Sequence, residues 1–152
     1  MLSMVLTIQD ALIQDWEVLF QIETECFKTE AFTRQQIARL MADYNTVCLV
    51  ARESAKIVGF IMGRASFEGD VLTGHILTID VLPTCRQRGI GAKLLHEIET
   101  IFKEKDAKKC YLEVREDNTK ALSLYQKSGY KKVGKLRNYY RGAHGLRLRK
   151  DL

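Results

Sequence analysis

The sequence predicts an α/β fold, in which a mixed and mostly antiparallel sheet is flanked by helices and carries a parallel pair of strands at its centre. Three observations carry this expectation. His75 to Val81 alternates, with His75, Leu77, Ile79 and Val81 on one face and Ile76, Thr78 and Asp80 on the other, which is the period of a strand. Ile90, Leu94, Ile98, Ile101 and Phe102 then recur at helical spacing, so a helix begins near Arg88 or Gly89 and runs to about Phe102. Lys109 to Arg115 reads as the next strand, parallel to the first if the intervening helix is a right-handed crossover.

In chain order, a short strand at Val5 to Ile8 precedes a helix from about Leu12 or Asp15 to Cys26, with Trp16, Leu19, Phe20 and Ile22 toward the core. The next helix has a legible start: Thr33 and Gln36 form a capping box, and Phe32 and Ile37 a hydrophobic staple. Its buried face is expected to carry Ile37, Leu40, Met41 and Tyr44. Thr46 to Arg52 and Ile57 to Ala65 read as a hairpin, and Gly59 and Gly63 in its second strand mark a bulge or close packing. A loop at Ser66 to Asp70 leads into the organising strand. Asn118 caps a later helix that ends at Gly129, and Tyr130 to Leu136 with His144 to Lys150 closes the sheet.

A chain of 152 residues, 46% of them hydrophobic, fits one domain over residues 1–152, with a single proline and no linker composition. No apolar run approaches a membrane span, and Met1 to Met4 lack the regions of a signal peptide, so the expectation is a cytoplasmic protein with no membrane partner. Cys26, Cys48, Cys85 and Cys110 are far apart and without histidines at ligand spacing, which predicts no metal. Cys48 and Cys110 read as small core residues; Cys85 lies in the turn before the central helix. The net charge of +5 is uneven, acidic from Gln9 to Glu30 and almost wholly basic among the charges of Lys127 to Lys150. That basic stretch lacks the interleaving of a recognition helix, so a solvated edge hairpin that attracts phosphates is expected rather than specific nucleic-acid binding.

The strand–turn–helix junction is the place for a bound phosphate. Gly89 and Gly91 remove side chains where the first free N–H groups of the helix point outward, and Arg86, Arg88 and Lys93 add positive charge. It is not a Walker loop, because Gly-Lys-Ser/Thr is missing, and Leu94 stands where a dinucleotide fingerprint needs its third glycine. A two-glycine turn alone is equally an ordinary entry into a helix.

Arg86-x-x-Gly89-x-Gly91 after a strand resembles the pyrophosphate loop of the GNAT superfamily of acetyl-CoA-dependent N-acetyltransferases. A second stretch, Leu112 to Asn118 followed by Ala121 to Tyr130, resembles the other half of the site in protein Nα-acetyltransferases of the RimI and archaeal Ard type. The two motifs together cover roughly Val47 to Val133. The resemblance implies a GNAT-type acyl-CoA N-acyltransferase domain whose parallel central strands splay apart. It implies acetyl-CoA as cosubstrate, its pantetheine arm pairing with the backbone of Ile79, Asp80 and Val81. Its pyrophosphate would then lie on Arg86, Gln87, Arg88, Gly89, Ile90, Gly91 and Ala92, with Asn118 touching the pantetheine or acetyl region. The acceptor implied is a protein or peptide N-terminus, its first residues lined by Phe27 and Glu30 and covered by Tyr139 and Tyr140 of the final hairpin loop. RimI-like members carry Phe-Pro-Trp where this chain has Phe27 and no proline.

The chemistry asks little of the protein. A thioester is reactive enough for direct attack by an amine within a ternary complex, so the site must supply a neutral amine, oxyanion stabilisation and help for the leaving thiolate. Deprotonation at pH 7 costs about 1–1.4 kcal/mol for an α-amino group and about 4.6 for lysine, so one carboxylate acting through water suffices for an N-terminus. Glu113, on a central strand with Tyr111 and Arg115 on its face, is the candidate base and matches the RimI-type general base. Tyr125 matches the tyrosine that faces the coenzyme A sulfur, and His75 a position that joins the amine-side proton path in some relatives. Two other readings stay open at this point: acetylation of a small amine such as a polyamine or aminoglycoside, and an acyl-CoA sensor without turnover. The sequence leaves ribosome association open and predicts a monomer or weak dimer.

Overall fold

A computed structural model of the chain describes residues 5–152; the segment Met1 to Met4, considered above for a leader, lies outside the described residues. The strands are β1 (Leu6–Asp10), β2 (Thr46–Glu53), β3 (Lys56–Glu68), β4 (Val71–Val81), β5 (Lys109–Arg115), β6 (Lys131–Tyr140) and β7 (Ala143–Asp151). The helices are α1 (Trp16–Cys26), α2 (Arg34–Ala42), α3 (Ile90–Glu104) and α4 (Thr119–Lys127). The strands form one sheet in the order β1-β2-β3-β4-β5-β7-β6. Every neighbouring pair is antiparallel except β4 and β5, as the sequence predicts.

Helices cover both faces of the sheet. On one side Leu94, Leu95, Ile98 and Phe102 of α3 meet Ile61, Ile76, Cys110, Leu112 and Val114, all buried. On the other, Leu19 and Ile22 of α1 and Ile37 of α2 meet Val50, Phe60 and Met62. Complete burial of a Leu, Ile or Phe side chain contributes about 1.5–3 kcal/mol, so these two layers, rather than the strand ladders alone, hold the helices in place. The start of α2 is as expected: the Gln36 N–H donates to Thr33 Oγ1 at 3.2 Å, and Gln36 Oε1 accepts from the Thr33 N–H at 2.8 Å. Asn118 likewise caps α4, its Oδ1 accepting from the Ala121 N–H at 3.1 Å, and Gly129 takes φ +97° beyond the helix end.

Four expectations change. Tyr44 is not on a buried face; it is 98% exposed, because α2 ends at Ala42 and Asp43 turns the chain, its Oδ1 accepting from the Asn45 N–H. Ser66 to Glu68 are strand rather than loop, pairing with Thr73 to Val71 across a turn at Gly69 and Asp70, so β4 begins four residues before His75. Exposure of that ribbon, with Phe67 at 72%, makes its sequence look like a loop although its backbone groups are paired. Tyr139 and Tyr140 end β6, and the turn is Arg141 and Gly142, with Gly142 at φ +76°.

The fourth correction decides the site. Met62 pairs with Thr78 but Gly63 with Ile76, which leaves Leu77 as an extra residue in β4. Such a bulge resets the alternation. Gly74 and Ile76 face α3, and beyond the bulge so do Ile79 and Val81. His75 therefore does not share a face with Ile79 as predicted; it lies on the α1 side with Leu77, Thr78 and Asp80. Below the bulge, β4 and β5 pair only over Thr73–His75 with Lys109–Tyr111, and beyond His75 the two strands separate.

Candidate functional site

The gap between β4 and β5 has a glycine-containing turn and helix start at one end and a His–Glu pair at the other. At the first, Pro83–Cys85 makes one tight helical turn, Gln87 takes φ +63°, and Gly89 caps α3 at φ +79° with open space where a side chain would be. The first bond of the helix runs from the Lys93 N–H to Gly89 O at 3.1 Å, so the N–H groups of Ile90, Gly91 and Ala92 have no intrahelical acceptor. A Cβ at Gly91 would meet Leu124 at 3.3 Å, which ties the helix start closely to α4. Exposed Arg86 donates from Nε to Val81 O at 3.1 Å. The Arg88 guanidinium instead pairs with both carboxylate oxygens of Glu53, so its charge is engaged on β2 rather than held free at the loop. Cys85 packs against the core, and its Sγ lies 3.8 Å from Thr84 Oγ1 of the same turn.

At the second end, His75 Nε2 lies 2.7 Å from Glu113 Oε1. A carboxylate only accepts, so the imidazole carries its proton on Nε2 and donates it. The Glu113 side chain is 14% exposed and that of His75 37%, which places the pair at an opening rather than in the core. Arg147 of β7 stands opposite Glu113 in the register, with Nε 3.8 Å from Glu113 Oε2 and its guanidinium stacked on the Tyr111 ring at 4.7 Å.

Around this opening the structure gathers most of the predicted acceptor-side residues. Arg115, two residues beyond Glu113, pairs with Glu30 of the α1–α2 loop, donates to both Asp117 oxygens at 3.0 and 3.1 Å, and reaches Arg141 O at 3.4 Å. Its guanidinium lies 6.0 Å from the centre of the Tyr140 ring, and Tyr139 packs edge-on to Tyr140 at 4.9 Å. One arginine thus joins β5, the α1–α2 loop and the final hairpin. Burial pushes the Tyr140 phenol up, followed by coupling to the neighbouring Tyr139 phenol and the negative charge of Glu113 and Glu30. Phe27 closes α1, half-buried, its N–H donating to Glu23 O at 2.9 Å. Tyr125 is 6% exposed and packs edge-on to Tyr130 at 6.1 Å; burial, then Asp80 and Tyr140, pushes its phenol above the ordinary range.

Sequence reading missed three contacts. Alternation already put Arg115 on the face of Glu113, but nothing local identifies Glu30, 85 residues earlier, as its partner. Arg147 was visible only as an alternating charge of the last strand. Glu23 of α1 and Asp80 of β4, each 1% exposed, meet at Thr78, a buried polar cluster without a sequence signal. Among the described residues no helix is long and apolar enough to cross a membrane.

A model of the Acetyltransferase (GNAT) family matches residues 13–130. An N-alpha-acetyltransferase of Sulfurisphaera tokodaii is 37% identical over 109 residues, 66% of this chain and 65% of that protein. The N-alpha-acetyltransferase RimI of Mycobacterium tuberculosis is 38% identical over 108 residues, 66% of this chain and 63% of that protein. The chain therefore spans somewhat under two thirds of these relatives. Among solved structures, Ard1 from Thermoplasma volcanium superposes with a TM-score of 0.84 at 25% identity, covering 97% of each chain. With the family match extending over most of the chain, and with a glycine-capped helix beside a splayed strand pair, this protein belongs to the GNAT family of acetyltransferases.

Proposed function

We propose that the chain transfers the acetyl group of acetyl-CoA to the free α-amino group of protein N-termini. The observation that carries this reading is the His75–Glu113 pair at the mouth of the β4–β5 gap, under a rim made by Glu30, Arg115 and Tyr140. The similarity to N-alpha-acetyltransferases supports the same acceptor.

The residues present fit the cosubstrate. Three helix N–H groups at Ile90, Gly91 and Ala92, with open space at Gly89, suit a pyrophosphate, and exposed Arg86 lies in the same turn. The β5-facing edge of β4 beyond His75 has no strand partner, so the backbone of Ile79, Asp80 and Val81 can pair with the pantetheine arm. Acetyl-CoA supplies an activated acyl carbon that an amine attacks directly. The chain has then to manage protons. Glu113 takes the proton of the incoming ammonium through water while His75 Nε2–H holds its other flank. Because burial keeps the Tyr125 phenol protonated, Tyr125 serves as a hydrogen-bond donor to the departing sulfur. Asn118 spends its Oδ1 on the helix cap, leaving its amide N–H groups for the pantetheine side.

Steady-state release of coenzyme A tests the assignment, with peptides varied at the first two residues, each free and N-terminally blocked. Turnover confined to free N-termini is the expected result. Equal turnover of blocked peptides moves the acceptor to lysine, and silence across the panel with acetyl-CoA still bound moves it to a small amine or to a sensor.

The rim makes a separate prediction. Arg115→Met removes the partner of Glu30 and the anchor of the Arg141 turn while leaving Glu113 in place. The acceptor KM is expected to rise about tenfold, with the KM for acetyl-CoA little changed, as two binding surfaces lose their common tie. Initial-rate kinetics with each substrate varied in turn would show it.

A further inference from the structure

The side chains of Glu23, Thr78 and Asp80 have no part in the chemistry above, yet the two carboxyl groups are, at 1% exposure each, the most deeply buried acids beside the site. Thr78 Oγ1 lies 2.8 Å from Glu23 Oε1 and 2.7 Å from Asp80 Oδ1. A threonine hydroxyl has one proton, so it can donate to only one of the two carboxyl groups. The other contact is a hydrogen bond only if that carboxyl is itself protonated and donates to Thr78 Oγ1. Asp80 Oδ2 has no partner among the described residues, as expected of a carboxyl group that is not ionised. Glu23 uses its second oxygen to accept the Phe32 N–H at 3.0 Å, which fixes the far end of the loop bearing Phe27 and Glu30.

We propose that Glu23 and Asp80 form a proton-sharing carboxyl pair that docks α1 and the loop behind it onto β4, and so positions the acceptor side of the site. Loss of the shared proton sets two carboxylates against each other in a dry contact, and Glu23, on the less anchored element, withdraws. Burial, then the neighbouring charge of Glu23, pushes the Asp80 carboxyl well above its usual range. The other titratable groups facing the pair are Cys26 of α1, Cys48 of β2, Tyr125 of α4 and Arg86 of the following loop. Burial pushes the two thiols up to about 11 and about 12 and raises the Tyr125 phenol, so these three groups stay neutral through moderately alkaline pH.

The sign follows from the direction of the shift. A carboxyl raised in the folded state contributes its full stability below the unfolded value of about 3.9 and loses it as pH rises through the folded value. Asp80→Asn is neutral at every pH and keeps a group that can bond to Thr78. We expect the ratio of wild-type to Asp80→Asn acceptor KM to grow about fivefold or more between about pH 5, just above the unfolded carboxyl value, and about pH 9, below the range of the thiols; the ratio cancels the titration of the acceptor amine. Amide hydrogen exchange of residues 27–33, corrected for intrinsic rate, is expected to accelerate about tenfold in wild type relative to the variant over the same range. The KM arm rests on the N-terminal acceptor reading; the exchange arm needs no acceptor, so a protein that acetylates no peptide but shows the exchange change overturns that reading and supports the pair. Both ratios constant with pH would overturn the pair. Glu23→Gln, which removes the same second charge, carries both expectations if Asp80→Asn does not fold.

Discussion

Glu113→Gln is expected to lower kcat with a free N-terminal peptide by about 10²–10⁴-fold, the usual worth of a positioned general base. Glutamine keeps the size of the side chain and can still accept from His75 Nε2–H through its carbonyl oxygen, so the rim should hold its shape. What disappears is the group that takes the proton. The residual rate should rise with pH until the acceptor amine, with a pKa of about 7.7–8.0, deprotonates unaided. The KM for acetyl-CoA should stay near the wild-type value, since the loop proposed to hold the pyrophosphate lies beyond Val81, six residues along β4 from His75. Initial rates across pH with both substrates varied check all three points. An unchanged kcat would assign the proton path elsewhere, with Tyr140, whose phenol feels the charge of both Glu113 and Glu30, the next candidate.

Phe102→Ala is expected to produce the largest loss of stability, about 3–5 kcal/mol, or a fall in Tm of about 6–20 °C for a chain of this size. The ring is fully buried and occupies a slot made by two glycines on neighbouring strands. A Cβ on Gly74 would lie 2.4 Å from the ring, and one on Gly63 3.1 Å from its tip. Gly74→Ala should therefore cost about 1–3 kcal/mol by overpacking, and adding Phe102→Leu should recover part of that loss. Thermal denaturation of the two single variants and the double variant measures the coupling; strictly additive losses would show that ring and slot do not act as a unit. Gly74 pairs with Cys110 one residue before His75 pairs with Tyr111, so a displaced Gly74 also shifts His75. Activity should fall along with stability.

Much of this architecture is local and could be read from the sequence. The start of α2 follows from Thr33 and Gln36, the cap of α4 from Asn118, the bounds of β5 from an alternation unbroken over Lys109–Arg115, and the anion end of the site from two glycines opening an amphipathic helix. Each is settled by residues within a few positions of one another, through hydrogen bonds or side-chain periods that the chain cannot avoid. Two motifs in the right order then suffice for the family.

The His75–Glu113 end of the gap was only half legible. Glu113 and His75 were individually visible, but their meeting depends on a register in which β4 and β5 pair for three residues and then part, and on a bulge at Leu77 that turns Thr78 and Asp80 to the side of His75. No period in the sequence encodes an extra residue that exists only relative to a partner strand. The same holds for Arg115 with Glu30, for Glu23 with Asp80, and for the glycine slot around Phe102: each joins residues far apart in the chain, and burial or charge complementarity selects them only after the sheet has closed. The sequence by itself determined the elements, their order and the family. The tertiary structure decided which side chains meet in hydrogen bonds, because a contact of 2.7 Å is a property of packing and not of spacing along the chain.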